Sequence, residues 1–264
     1  MLKAALHVHS TYSDGEFTLA ELKQIYTAEG CSVICMTDHA ESFDEPKLAQ
    51  YRRECESLSD DTLLFVSGLE YECEQRMHIL GYGVTALANS TDPQQVIRHI
   101  ERNGGVCVIA HPKDSMFPWI ESFEALPKGI ETWNSKYDGR YAPRPGTFEL
   151  LHRLQSRRPD MLAFYGQDLH WKKQYRGLFN GIQCDHPNRD TILTALAMGR
   201  YEGQKGELQL PSSGVLSQDL LASFSQQHAN SDRVRNFLKS GKKALDRMGI
   251  VVPASIKSQL RRIF

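Results

Sequence analysis

The chain has 264 residues, of which 41% are hydrophobic and 24% charged, and its formal net charge is −1. That composition fits a globular protein with a sizeable core and excludes a disordered chain. A near-neutral balance excludes an exterior built throughout for nucleic acid or an anionic surface, and no apolar run approaches the ~20 residues of a membrane span.

Taken in chain order, residues 4–9 read as a strand that ends on His7-Val8-His9, followed by Ser10-Thr11-Tyr12-Ser13-Asp14-Gly15. Alternate residues of a strand share a side, so His7 and His9 are expected to point together and grip one ion. Imidazole is the commonest metal ligand, and Asp14 adds an oxygen donor nearby. Residues 18–29 predict a helix, with Thr18 as N-cap, Glu21 completing a capping box and Gly30 as the stop. Residues 32–36 are a short buried strand leading into Thr37-Asp38-His39, and a helix follows over 46–58. Strands are expected over 63–73 and 77–82, joined by a turn at 74–76. A helix over 92–103 turns at Gly104-Gly105 into a strand over 106–110. Then come a strand over 129–133, a helix over 145–155, a strand over 161–165, a strand over 177–184 and a helix over 188–198.

This alternation predicts an α/β fold, and the polar residues favour a barrel over a doubly wound sheet. His7, His9, His39, His111, Asp168 and His170 all fall at or just after predicted strand ends, where barrel enzymes carry their chemistry. The expected division is a barrel domain over 1–204 and, over 205–264, a loop (205–217) followed by a basic amphipathic helical tail. From Ser231 to Phe264 nine Lys/Arg stand against two Asp, a surplus of seven positive charges on a body that carries −8. Val234, Phe237, Leu238, Leu245 and Met248, then Ile256, Leu260, Ile263 and Phe264, have helical spacing. Such a tail is either docked on the barrel or an interfacial segment drawn to anionic lipid, with nucleic acid ranked below both. The six cysteines (Cys31, Cys35, Cys55, Cys73, Cys107 and Cys184) form no Cys-x-x-Cys pair. They read as buried thiols of a reducing compartment. The start of the chain lacks the features of a signal peptide. The expected location is therefore the cytoplasm, peripheral at the inner membrane surface if the tail is interfacial.

The remaining signals gather into one pattern: His-x-His-x4-Asp-Gly, Thr-Asp-His, Gly-Leu-Glu (68–70), His-Ile-Leu-Gly-Tyr (78–82), Ala-His-Pro (110–112) and Asp-Leu-His (168–170). Over residues 2 to about 184 the chain resembles the PHP (polymerase and histidinol phosphatase) family. The resemblance implies a distorted (β/α)7 TIM-like barrel with a trinuclear site of divalent ions (Zn, Mn or Fe) at the C-terminal ends of its strands. His7, His9, Glu70 and Asp168 would hold the first ion. Glu70 would bridge to a second, held also by His78 and His111, and Asp14, His39 and His170 would hold the third. Glu72 competes with Glu70, since both face one side of a strand, but Gly68-Leu69-Glu70 matches the family motif. Asp38 is either a turn former or the partner of a ligating imidazole.

The implied reaction is hydrolysis of a phosphate ester by a hydroxide bridging two ions, with no separate protein nucleophile. Candidate phosphate-binding cations are Lys113, Lys136, Arg140, Lys172 and Arg176, with Lys136 and Arg140 preferred because Trp133, Tyr137 and Tyr141 are interleaved with them. Short loops favour a small phosphomonoester such as a nucleotide or sugar phosphate. The alternatives are an exonuclease using the same metals and a non-catalytic metal-binding module. His99, His152, His186 and His228 stay outside the pattern and read as packing or surface residues.

Overall fold

The computed structural model describes residues 1–138 and 142–247. Strand β1 (Leu2–Val8) is followed by α1 (Leu19–Ala28), β2 (Val33–Met36), β3 (Asp38–His39), α2 (Glu45–Leu58), β4 (Leu64–Val66), β5 (Gly68–Cys73) and β6 (Met77–Tyr82). The chain continues through α3 (Pro93–Arg102), β7 (Val106–Ala110), α4 (Phe117–Glu121), β8 (Gly129–Asn134), α5 (Pro145–Gln155), β9 (Leu162–Gly166) and β10 (Phe179–Ile182). Helix α6 (Arg189–Ala197), β11 (Tyr201–Lys205), β12 (Leu208–Pro211) and α7 (Gln218–Arg247) complete it.

Local signals set most helix boundaries. Thr18 accepts from the Glu21 amide while the Glu21 carboxylate takes the Thr18 amide, the reciprocal cap expected of that spacing. Asp44, Asp92 and Asn188 cap α2, α3 and α6, and a proline in the first turn of α2 and α3 fixes the entry.

The strands form two six-stranded sheets, β12-β11-β10-β1-β2-β4 and β3-β5-β6-β7-β8-β9. Among the described residues no ladder closes them into the expected seven-stranded barrel. They touch at an isolated bridge between Val8 and Leu169 and at a bond from the Gln167 amide to the Leu6 carbonyl. The physical reason lies in the strand expected over 63–73. It breaks at Ser67, so that β4 pairs with β2 in the first sheet and β5 with β3 and β6 in the second. Gly68 permits the step, because a methyl group there would lie 2.6 Å from the Met36 carbonyl oxygen and 2.7 Å from that of Gly81.

The expected loop over 205–217 is also corrected, since β12 lies within it and extends the first sheet through a hairpin with β11. Helix α7 leans on the body through buried Phe224. The His228 ring, with its proton on Nε2, donates to the carbonyls of Ala142 (3.1 Å) and Pro143 (2.8 Å). Met248 to Phe264, with the second half of the apolar tail stripe, lies outside the described residues, as does Arg140. No helix among the described residues is long and apolar enough to cross a membrane.

Candidate metal centre

Simple strand alternation does not bring His7 and His9 together. His7 has a φ of 62°, and the pairing of β1 with β2 shifts register between Leu6 and Val8. This left-handed residue ends the regular strand and turns the two imidazoles toward each other, with ring centroids 5.2 Å apart. His111 and Asp168 also have positive φ (27° and 52°), so three of the nine pattern residues stand in backbone conformations that L-residues seldom adopt.

Glu70, on β5, occupies the middle of the cluster and is buried. Its Oε1 is 2.8 Å from His78 Nδ1 and 3.2 Å from His111 Nε2. Its Oε2 faces His9 Nε2 at 3.2 Å, His7 Nε2 at 3.4 Å and His39 Nδ1 at 3.5 Å. Glu72 is exposed and plays no part here. His78 arrives from the start of β6, which runs antiparallel to β5 and β7 and so begins at the same rim where β7 ends. Asp14 Oδ1 lies 3.3 Å from His170 Nε2, 3.6 Å from His39 Nε2 and 3.9 Å from His9 Nδ1. Asp168 Oδ1 lies 3.2 Å from His170 Nδ1 and 3.8 Å from His7 Nε2.

Three groups of side chains among the described residues bring ligand atoms within 4.8 Å of one another: His9, Asp14, His39 and His170; His7, His9 and Asp168; His7, Glu70 and His111. His9 therefore stands with the Asp14 group as well as with His7, a sharing that spacing could not show. The donor set suits divalent metal. His7 Nε2 and both nitrogens of His9 are fully buried, yet none makes a hydrogen bond, although carboxylate oxygens lie close by. Buried polar atoms are normally hydrogen-bonded, and imidazole nitrogens that converge without a bond are placed as ligands are.

Electrostatics agree with that arrangement. Burial drives the His9 pKa down to about 3, which leaves its ring neutral, with a lone pair on one nitrogen available to a metal. Burial also opposes charge on His7, but Glu131, Asp168 and Glu70 around it outweigh this and raise its pKa well above the ordinary value. Burial works against ionisation of Glu70 and Asp168 as well. The surrounding imidazoles, His7 foremost, overcome it and hold both carboxyls well below the usual range.

One residue that sequence reasoning missed is Glu131, on β8 and fully buried. Its Oε1 accepts from His7 Nδ1 at 2.7 Å, and its Oε2 accepts from the His111 amide at 3.0 Å and Asn134 Nδ2 at 2.9 Å. It fixes a proton on His7 Nδ1 and leaves Nε2 as the nitrogen that a metal ion would take in place of its proton. Gly166 makes room for it, since a methyl there would collide with Glu131 Oε1 and come within 3.0 Å of His7 Cβ. The available signal was an acidic residue inside the apolar run Gly129-Ile130-Glu131-Thr132-Trp133. Asp38 partners no imidazole. It accepts from the Ser10 amide (2.8 Å), the Ser10 hydroxyl (2.9 Å) and the Ser13 hydroxyl (2.7 Å), and so shapes the turn that carries Asp14.

The proposed phosphate-binding cations fare unequally. Lys136 Nζ is held by Asp168 Oδ1 at 2.9 Å, inside the cluster. Lys113 lines a cavity of about 400 Å³ bounded also by His78 and His111. Lys172 lines a different cavity, with Phe17 and Tyr175. Arg176 lies in the loop after His170, where its carbonyl accepts from Lys205 Nζ. Arg144 does line the first cavity, but Asp138 (2.5 Å) and Asp114 (3.0 Å) already pair with it. His99 and His152 are tied to backbone carbonyls, and His186 is exposed.

These features define an α/β protein with a buried histidine–carboxylate cluster, able to hold metal, at one rim of its sheets. A PHP domain model matches residues 5–139, just over half of the chain. The chain belongs to the PHP family. Among solved structures, it is similar to a two-domain protein of Bacteroides vulgatus described as containing a predicted PHP-like metal-dependent phosphoesterase. That match has 20% identity and a TM-score of 0.58 over 85% of this chain and 69% of the other. It is also similar to PsfC of Pseudomonas syringae, with 14% identity and a TM-score of 0.52 over 87% and 98% of the two chains. At these identities the likeness bears on the fold alone. None of the curated proteins matches the chain.

Proposed function

We propose that the chain is a metal-dependent phosphoesterase acting on a small phosphomonoester. The observation that carries this reading is the pair of fully buried imidazoles, His7 and His9, whose inward nitrogens lack hydrogen bonds around the central carboxylate of Glu70. His7, His9, Glu70 and Asp168 would hold one divalent ion, Glu70, His78 and His111 a second, and Asp14, His39 and His170 a third. Bound divalent ions supply Lewis acidity toward phosphoryl oxygens and lower the pKa of water enough for attack near neutral pH. The protein's own contribution is orientation. Glu131 sets the His7 tautomer, and Asn134 Nδ2 (3.1 Å) and Lys136 Nζ (2.9 Å) hold Asp168. The Lys136 ammonium also puts positive charge where an anionic ester would approach. The adjoining cavity of about 400 Å³ is of a size for a small leaving group rather than a polymer.

The test is phosphate release from small phosphomonoesters, cyclic nucleotides and short oligonucleotides with Mn, Zn or Fe, with chelator, and with a His9→Ala control. Monoester turnover lost on chelation and in His9→Ala is expected. Turnover confined to oligonucleotides would favour a nuclease, and none in any arm with metal bound would favour a binding module.

A further inference from the structure

The cavity beside His78 and His111 holds two cations, Arg76 and Lys113, that the metal cluster does not engage. Arg76 and Lys113 enter it from different elements, the β5–β6 turn and the segment after β7. Both are exposed, and neither makes an ion pair or a side-chain hydrogen bond among the described residues. Arg144, in the same wall, is already neutralised by Asp138 and Asp114. The position of Arg76 is unusual: Gln75 and Arg76 are consecutive left-handed residues, with φ of 56° and 59°. Left-handed turn positions ordinarily take Asn or Gly, so two longer side chains in succession within this three-residue connection are uncommon. Tyr137 completes the cavity with an exposed ring 4.6 Å from that of His111.

We infer that this cavity binds a second oxyanion, carboxylate or phosphate, on the leaving group of the ester, with Arg76 and Lys113 as its ligands. The inference rests on the phosphoesterase reading for the placement of the scissile phosphate at the histidine cluster. The guanidinium fork suits a two-oxygen anion, and the lysine adds a point charge from the other side. Tyr137 offers a flat face to whatever joins the two anions. The pair is thus a specificity determinant that selects esters with anionic leaving groups.

The experiment is calorimetric titration of the Mn-loaded full chain with phenylphosphonate, 4-carboxyphenylphosphonate and 1,4-phenylenebisphosphonate, in the wild type, Arg76→Gln and Lys113→Gln. Both substitutions fall on exposed side chains outside the metal cluster, so circular dichroism and metal content should match wild type. The expected result is about tenfold tighter binding of at least one of the two ligands with a second anionic arm than of phenylphosphonate, the gain from one charge-assisted contact at a half-open site. The carboxylate and phosphonate arms distinguish the two oxyanions. Each substitution should bring the preference to within about threefold of parity. Equal affinities in the wild type, a preference that survives both substitutions, or no binding of any of the three overturns the inference. Failure of the phosphoesterase reading shows separately, as intact binding preference without turnover of the corresponding aryl phosphates.

Discussion

Replacing Glu131 by glutamine tests the logic of the whole centre with a change of one atom. The carboxylate accepts three hydrogen bonds, one on Oε1 from His7 and two on Oε2 from the His111 amide and Asn134. An amide has one acceptor oxygen. Whichever way the substituted side chain turns, its NH₂ group faces a buried donor. If the oxygen keeps His7, the His111 amide and Asn134 lose their acceptor; if it keeps those, His7 Nδ1 faces another donor. An unsatisfied buried donor costs about 1–3 kcal/mol, and loss of a carboxylate that orients a ligating imidazole typically weakens metal binding ~10–100-fold. Those figures agree, since tenfold is about 1.4 kcal/mol. Glu131→Gln should therefore fold, lose about 1–3 kcal/mol of stability and release metal to a competing chelator at ~10–100-fold lower chelator strength. Metal affinity within threefold of wild type would refute the reasoning, because it would mean that His7 is oriented without Glu131.

Four further predictions follow from the same geometry. Gly166→Ala drives a methyl group into Glu131 and His7, and should reduce bound metal at least as much as Glu131→Gln, measured by emission spectrometry on the purified protein. In chelator, stability should fall on both sides of about pH 6.5. Below it the unfolded chain protonates His9, Glu70 and Asp168 while the folded chain, with all three depressed, does not. Above it the unfolded chain loses its His7 proton while the folded chain, whose His7 pKa is raised, keeps it until the pH reaches that raised value. Each group contributes a slope of at most about 1.4 kcal/mol per pH unit in urea melts, and a flat profile from pH 4 to 9 would contradict the assigned shifts. Iodoacetamide at pH 8 should modify Cys184 alone without denaturant, because burial pushes the Cys31 and Cys73 thiols up to about 12 and covers Cys35, Cys55 and Cys107. Labelling of Cys35 or Cys107 in the native protein would count against this core. If the basic tail is interfacial, the full chain should co-sediment with phosphatidylserine liposomes at low salt and a chain ending at Ser231 should not; equal behaviour favours a tail held by the body.

Much of the site was legible before the fold was known, because the information is local. His7, His9, Asp14 and His39 occur in short motifs whose spacing limits what they can do, and capping residues mark where α1, α2, α3 and α6 begin. Those signals depend on neighbours three or four positions away, and a chain reads them out without tertiary help. What the sequence alone determined was therefore the set of ligand-type residues, the order of most elements and the acidic body with its basic tail.

Only the tertiary structure decided which of these groups meet. The break at Ser67 divides the single strand expected over 63–73 between two sheets, a consequence of which strands lie alongside. The pairing of Glu131 with His7 spans 124 positions, and no periodic pattern carries a partnership of that range. Lys136 and Lys172 are both phosphate candidates in the sequence, with Lys136 preferred only for its aromatic neighbours; in the fold Asp168 draws Lys136 into the cluster, while Lys172 lines a separate cavity. Charge type can be read from a residue's name. Its burial, its partners and the backbone strain that aims it, as at His7, exist only once distant segments have packed against one another.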